Sequence, residues 1–179
     1  MSARWAQMTA AELGREINGG RISPVDLAEA HLDAIAAHPH RDRIFARTTP
    51  ARARAEAMAA HGRARAGQRR SLIDGVPVGW KDNFDTAGIA TEAGSALLKG
   101  RVPERDADVL VTATLMGLVC LGKTHLTELA FSGLGLNPIT AKPPCINDDR
   151  PVPGGSSSGA ASDSTGRSSP APRPSSLVH

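Results

Sequence analysis

Residues 118–121, Leu-Val-Cys-Leu, constrain the fold of this chain more than any other stretch. Four consecutive apolar residues between Gly117 and Gly122 are too few for a helix and do not alternate, so they fit a short strand covered on both faces. Asp106 to Met116 reads as a buried helix before that strand, and Thr124 as the N-cap of another helix running to about Ala130. Helix, strand and helix in succession predict an α/β fold in layers. Three helices are expected upstream. The first spans 9–20, with Thr9 as N-cap, Leu13 and Ile17 four apart, and Gly19-Gly20 as the stop. The second opens on Ser23-Pro24 and carries Leu27, Ala28, His31, Leu32 and Ile35 on one face, and the third follows Thr49-Pro50 over about 51–66. Leu72 to Val78, rich in β-branched residues and punctuated by Gly75 and Pro77, predicts a hairpin or paired short strands. A helical part (1–67) is thus expected to lead into an α/β part (68–161).

Composition narrows the function. Aromatic residues make up only 3% and Tyr is absent, so Ala and the aliphatics must build the core. Two cysteines, Cys120 and Cys145, are too few for a disulfide framework and suit a reducing compartment. The first residues hold no apolar leader and no window of 18 apolar residues occurs, which together predict a cytoplasmic location. Nine arginines lie between Arg41 and Arg70, but no aromatic beyond Phe45 interleaves them as a base-stacking platform requires, so they read as a solvated helix face. The histidines lack acidic or Cys partners at ligand spacing, and no metal site is expected. Gly117 to Thr124 matches the G-x-x-x-x-G-K-[ST] phosphate-loop pattern, yet the four middle residues are the buried strand itself. Gly117 is better read as a helix C-cap, and Gly122-Lys123-Thr124 as a strand-to-helix turn.

Two stretches carry candidate chemistry. In Asp74-Gly-Val-Pro-Val-Gly-Trp-Lys-Asp-Asn-Phe-Asp85 a strand delivers Lys81 among Val78, Trp80 and Phe84. Burial there disfavours the ammonium form and makes Lys81 a usable base, unless the side chain snorkels to solvent or pairs with Asp82 or Asp85. The second stretch, residues 151–179, holds nine Ser, five Pro and four Gly in 29 positions. That composition suits either a disordered tail or, around GGSSSG, a rigid catalytic loop.

The ordered blocks GVPVGWKDNFDTAG, LGKTHLTELAFSGLGLNP and PGGSSSGAA, from about Asp74 to Ala161, resemble the amidase signature family, serine hydrolases that cleave carbon–nitrogen amide bonds. The resemblance implies an α/β fold in which a mixed sheet is covered by helices, of which this chain is the N-terminal part. It implies a Ser–cis-Ser–Lys triad with Lys81 as base and Ser156 as the bridging serine, held by a cis peptide bond. Gly154 and Gly155 would allow that backbone approach, Ser157 and Ser158 would supply supporting hydrogen bonds, and Phe131, Ser132 and Gly133 would flank the acyl pocket. It also implies a small-molecule amide substrate, no cofactor, no membrane partner, and no nucleic acid unless the chain is an A subunit of the tRNA-dependent amidotransferase type. A non-catalytic binding fragment is the alternative from another class.

The sequence departs from the family after Ala161. Family members continue with an Ala/Val-rich helix, a strand and a GTDTGGS-like segment that carries the nucleophile. Here the chain reads SDSTGRSSPAPRPSSLVH, where Pro170, Pro172 and Pro174 exclude those elements. Ser162, Ser164, Ser168, Ser169, Ser175 and Ser176 lack the glycine-flanked setting of the nucleophile, so none is expected in this chain. Residues 162–179 are expected to be a disordered tail of the kind a shifted reading frame produces, and the chain is expected to be inactive and poorly soluble. The strand at 118–121 is expected to present an open edge.

Overall fold

The computed structural model describes residues 2–145 and 152–163. Helix α1 (Ser2–Trp5) leads into α2 (Ala10–Asn18), which begins with a reciprocal cap: the Thr9 hydroxyl accepts from the Glu12 amide at 3.2 Å while the Glu12 carboxylate accepts from the Thr9 amide at 2.6 Å. Helix α3 (Pro24–Ala37) starts under the Ser23 cap, with proline at the first helical position where a missing N–H costs nothing. Two short elements follow, α4 (Arg41–Ile44) and strand β1 (Phe45–Thr48), before α5 (Pro50–Arg65). Thr49 does not cap α5. Its hydroxyl donates instead to the Cys120 carbonyl at 2.9 Å and ties the helix to the sheet.

Strand β2 (Pro77–Lys81), helix α6 (Asp108–Leu115), strand β3 (Val119–Thr124) and helix α7 (Ser158–Asp163) complete the regular elements, with 3-10 turns at Ala96–Leu98 and Glu128–Ala130. The sheet order is β1-β3-β2, β1 antiparallel and β2 parallel to β3, which is the mixed sheet the resemblance implies. Helices α3 and α5 lay Ala28, Leu32, Ala53 and Ala57 against Val119 and Leu121, with Ile44 and Phe45 closing the cluster. Small alanines let the helices approach the sheet closely, as the near absence of aromatics requires. Among the described residues no helix is long and apolar enough to cross a membrane.

Five expectations change. Phe45–Thr48 is a strand inside the stretch read as helical, because its ladder partners are supplied by β3, far along the chain. Residues 72–78 form no hairpin: a turn at 71–75 feeds one strand, whose partner is β3. The apolar strand runs on through Gly122, Lys123 and Thr124, and only a 3-10 turn follows it, since Thr124 is held in the ladder opposite Phe45 and Lys81. That strand is also the centre of the sheet, with all six residues buried, so the edges are β1 and β2. Gly122 is needed there, as a Cβ would stand 2.5 Å from the Arg47 carbonyl oxygen of β1. Gly117 closes α6 at φ +89°, as read from the sequence. Helix α7 runs through Ser162 and Asp163, two residues into the expected tail, and the Ser162 hydroxyl donates to the Pro144 carbonyl at 2.5 Å. The remainder of the expected tail, 164–179, lies outside the described residues.

Candidate active site

Lys81 is the last residue of β2, and its parallel pairing with Thr124 of β3 fixes where its side chain emerges. Trp80 and Phe84 meet edge to face beside it, with ring centroids 5.5 Å apart. Lys81 is half-buried, and that burial pulls its pKa below the ordinary lysine value. Neither carboxylate that the sequence offered as a counter-ion reaches it. Asp82 points to Arg47 and Lys123, and Asp85 forms a two-bond pair with Arg101 at 2.6 Å for each bond. Among the described residues no carboxylate forms an ion pair with Lys81. Instead its Nζ donates to Ser156 Oγ at 2.7 Å, across 75 residues of sequence.

Ser156 is positioned by backbone bonds from three directions. The Gly155 amide donates to the Gly133 carbonyl at 2.7 Å and the Gly154 amide to the Leu134 carbonyl at 3.3 Å. The Thr127 amide donates to the Ser156 carbonyl at 3.2 Å, and the Gly159 amide to the His125 carbonyl at 2.9 Å. Gly159 sits so close to the end of α4 and to the residue after β3 that a Cβ would lie 2.5 Å from the Ile44 carbonyl oxygen and 2.6 Å from the His125 amide nitrogen. The serine loop is therefore pinned to the chain leaving β3 and to the 132–134 loop. Gly154 and Gly155, at φ +72° and +69°, supply the left-handed turn that brings Ser156 to Lys81.

The expected cis bond is not found: the described residues contain only trans peptide bonds. A cis bond outside proline costs about 3 kcal/mol and needs a loop constrained on every side. Here the two glycines make the turn with trans bonds.

The remaining candidates separate. Ser157 is half-buried and its carbonyl accepts from the Ala161 amide, while Ser158 is fully buried with an Oγ that finds no partner among the described residues. Ser132 bonds with Thr127, its amide donating to the Thr127 hydroxyl and its carbonyl accepting from it, which braces the loop that holds Gly155. Gly133 contributes through its carbonyl, and Phe131 is 95% exposed at the loop's tip. Leu129 and Ala130 just before it adopt positive φ, at 49° and 60°, a conformation non-glycine residues rarely hold.

Behind the site lies a charge cluster that the sequence did not disclose. Lys123 is wholly buried, with Nζ donating to the Phe84 carbonyl at 2.7 Å and the Thr91 hydroxyl at 2.9 Å, and lying 3.4 Å from Asp82 Oδ1. Asp82, 2% exposed, also accepts from Arg47 at 2.6 Å, and Arg47 reaches on to Glu92 at 2.6 Å and to the Ala90 carbonyl. Burial pulls the Lys123 pKa down despite Asp82. A buried lysine so engaged holds no phosphate, which removes the phosphate-loop reading. The one sequence signal was a lysine one residue beyond an apolar run. The arginines of 41–70 likewise are not one solvated face: Arg52 grips Asp106 at 2.9 and 2.7 Å, Arg63 grips Asp74 at 2.9 and 2.7 Å, and Arg54 pairs with Glu29 at 2.6 Å.

Comparison with known proteins places these features in context. A family model described as Amidase matches residues 26–166. The chain is 41% identical over 152 residues to the glutamyl-tRNA(Gln) amidotransferase A subunit of Anaeromyxobacter sp. (strain K), covering 84% of this chain and 30% of that relative. It is 38% identical to the corresponding protein of Marinobacter nauticus, covering 90% and 34%. Among solved structures it resembles the native peptide amidase from Stenotrophomonas maltophilia with a TM-score of 0.79 and 32% identity, over 88% of this chain and 34% of that one. The chain thus spans about a third of the length of the relatives it matches.

Proposed function

The chain belongs to the amidase signature family, hydrolases acting on carbon–nitrogen bonds, and from that premise we propose that Lys81 and Ser156 are the base and the proton bridge of an amide-hydrolysing serine triad. The observation that supports this reading is the 2.7 Å contact between a half-buried lysine, without a carboxylate partner among the described residues, and a serine on a glycine-turned loop. Neutral Lys81 accepts the Ser156 hydroxyl proton as Ser156 takes one from a third serine. That serine attacks the amide carbonyl, and the relay then runs backwards to protonate the departing amine. A charged Lys81 would block the first transfer, which is why desolvation matters.

The third serine corresponds to the GTDTGGS-like segment of the family, so the reaction is proposed for a polypeptide in which such a segment stands beside Ser156. Fusing that segment after Ala161 and assaying amide hydrolysis tests the reading. Lys81→Ala and Ser156→Ala are each expected to lower kcat by at least a hundredfold, the usual loss when a general base is removed. Activity insensitive to Lys81→Ala defeats it. If the unfused gene carries a GTDTGGS-like segment in another reading frame, resequencing the locus reveals it.

A second reading, the A subunit of an amidotransferase that supplies ammonia to misacylated tRNA, is favoured by the curated relatives at 38–41% identity. Against it, arginines 52, 54 and 63 are engaged by carboxylates rather than presented as a phosphate-binding face. Glutamine hydrolysis that rises on addition of charged tRNA and partner subunits would favour the amidotransferase. Amide turnover independent of both favours the simple amidase.

A further inference from the structure

Ser156 and Lys81 are already arranged as a two-residue nucleophile. We propose that Ser156, with Lys81 as its base and no further serine in the reaction, forms a covalent acyl-enzyme with small activated esters. Among the described residues Ser156 Oγ has one hydrogen-bond partner, Lys81 Nζ, and Ser156 is only half-buried. Among the described residues Lys81 in turn has Ser156 as its polar partner and no counter-ion, since Asp82 is committed to Arg47 and Lys123 and Asp85 to Arg101. An amine in that setting is neutral more readily than an ion-paired one and is placed to accept the serine proton directly. The loop that hydrogen-bonds to Gly154 and Gly155 carries exposed Phe131 and Leu134, apolar surface suited to an aryl or short acyl group.

Lys81 Nζ takes the proton from the Ser156 hydroxyl, Ser156 Oγ bonds to the acyl carbon, and the bond from that carbon to the leaving oxygen breaks. With p-nitrophenyl acetate the electron pair departs on p-nitrophenolate, which needs no proton. The proton on Lys81 then passes to solvent. An amide leaving group would need protonation at nitrogen and the support of an oxyanion site, so the two-residue reaction is confined to activated esters.

This proposal rests on the reading of Lys81 as a base but not on a third serine, and the two can fail separately. The fused polypeptide can fail to hydrolyse amides while Ser156 still acylates, and Ser156 can stay unmodified while that polypeptide works through Lys81. The test incubates the full chain with p-nitrophenyl acetate and locates the acetyl group by peptide mass spectrometry. The expected result is a stoichiometric burst of p-nitrophenolate with the label on the peptide holding Ser156. Ser156→Ala removes it, Lys81→Met slows it about a hundredfold, and Lys99→Met, at an exposed lysine, leaves it unchanged. Circular dichroism verifies that each variant is folded. Should Lys81→Met not fold, the unsubstituted chain decides by its pH profile: the burst rate should rise and level off at a pH below the ordinary lysine range. Label on the Lys81 amine or on another serine, an undiminished burst in folded Lys81→Met, or a rate that climbs with hydroxide without levelling overturns the proposal.

Discussion

Lys81 and Lys123 show how two lysines on neighbouring strands of one sheet acquire opposite characters. Lys81 ends an edge strand, half-buried, and meets a neutral hydroxyl, whereas Lys123 lies in the central strand and is clamped by two oxygen acceptors with Asp82 at 3.4 Å. Asp82 is the pivot, because its carboxylate offsets both Arg47 and Lys123 in a dry setting. Removing that charge leaves Lys123 without a carboxylate among the described residues and Arg47 with Glu92 alone, so Asp82→Asn is expected to cost about 3–5 kcal/mol. Lys123→Met, which leaves the Arg47–Asp82 pair intact, is expected to cost less. Urea denaturation of both variants checks the order, and an equal or reversed cost would show that Asp82 does not hold the cluster. Lys81 itself was legible from sequence, as a lone lysine among apolar residues. Its freedom from Asp82 and Asp85 was not, because one-residue and four-residue spacings permit either pairing until the strand decides which way each side chain points.

At the scale of elements, capping residues mark the leading helices well, since a cap acts within one turn of the helix it starts. Strands β1 and β2 are less legible, as their stability comes from a common partner far along the chain. The register around Gly122 is the weak point. There β1 and β2 both shift by one position, at Phe45/Arg47 and Val78/Gly79, to fit around the same segment of β3. Gly122→Ala would drive a Cβ to within 2.5 Å of the Arg47 carbonyl oxygen and push β1 away, for about 1–3 kcal/mol of lost stability. Hydrogen exchange should show faster exchange at the Thr49 amide, which donates to the Leu121 carbonyl. Unchanged protection there would mean that β1 absorbs the methyl group without moving.

Over the whole molecule, ion pairs stitch distant segments together. Arg52 joins α5 to Asp106 before α6, and Arg101 joins Asp85 in the loop after β2. Hydrogen bonds from Arg52, against the opposing effect of burial, hold the Asp106 carboxyl below its ordinary range, and those from Arg101 do the same for Asp85. A carboxyl whose folded pKa is depressed contributes stability above its unfolded pKa and loses it as pH falls through the folded one. The urea midpoint is therefore expected to fall as the solution is acidified below the ordinary aspartate range, and Asp106→Asn should flatten part of that fall. An acid limb identical in Asp106→Asn would exclude this pair as its source. The sequence by itself determined the starts of α2 and α3 and the buried strand, because propensity and capping act locally, and its ordered motifs carried the family resemblance and offered Lys81 and the glycine–serine loop as candidates. Only the tertiary structure decided that β3 is central, that Lys123 is buried in charge, that Ser156 arrives on trans bonds, and that it meets Lys81 at 2.7 Å. A contact across 75 residues depends on strand register and on loops closing against one another, and no local window of sequence contains either.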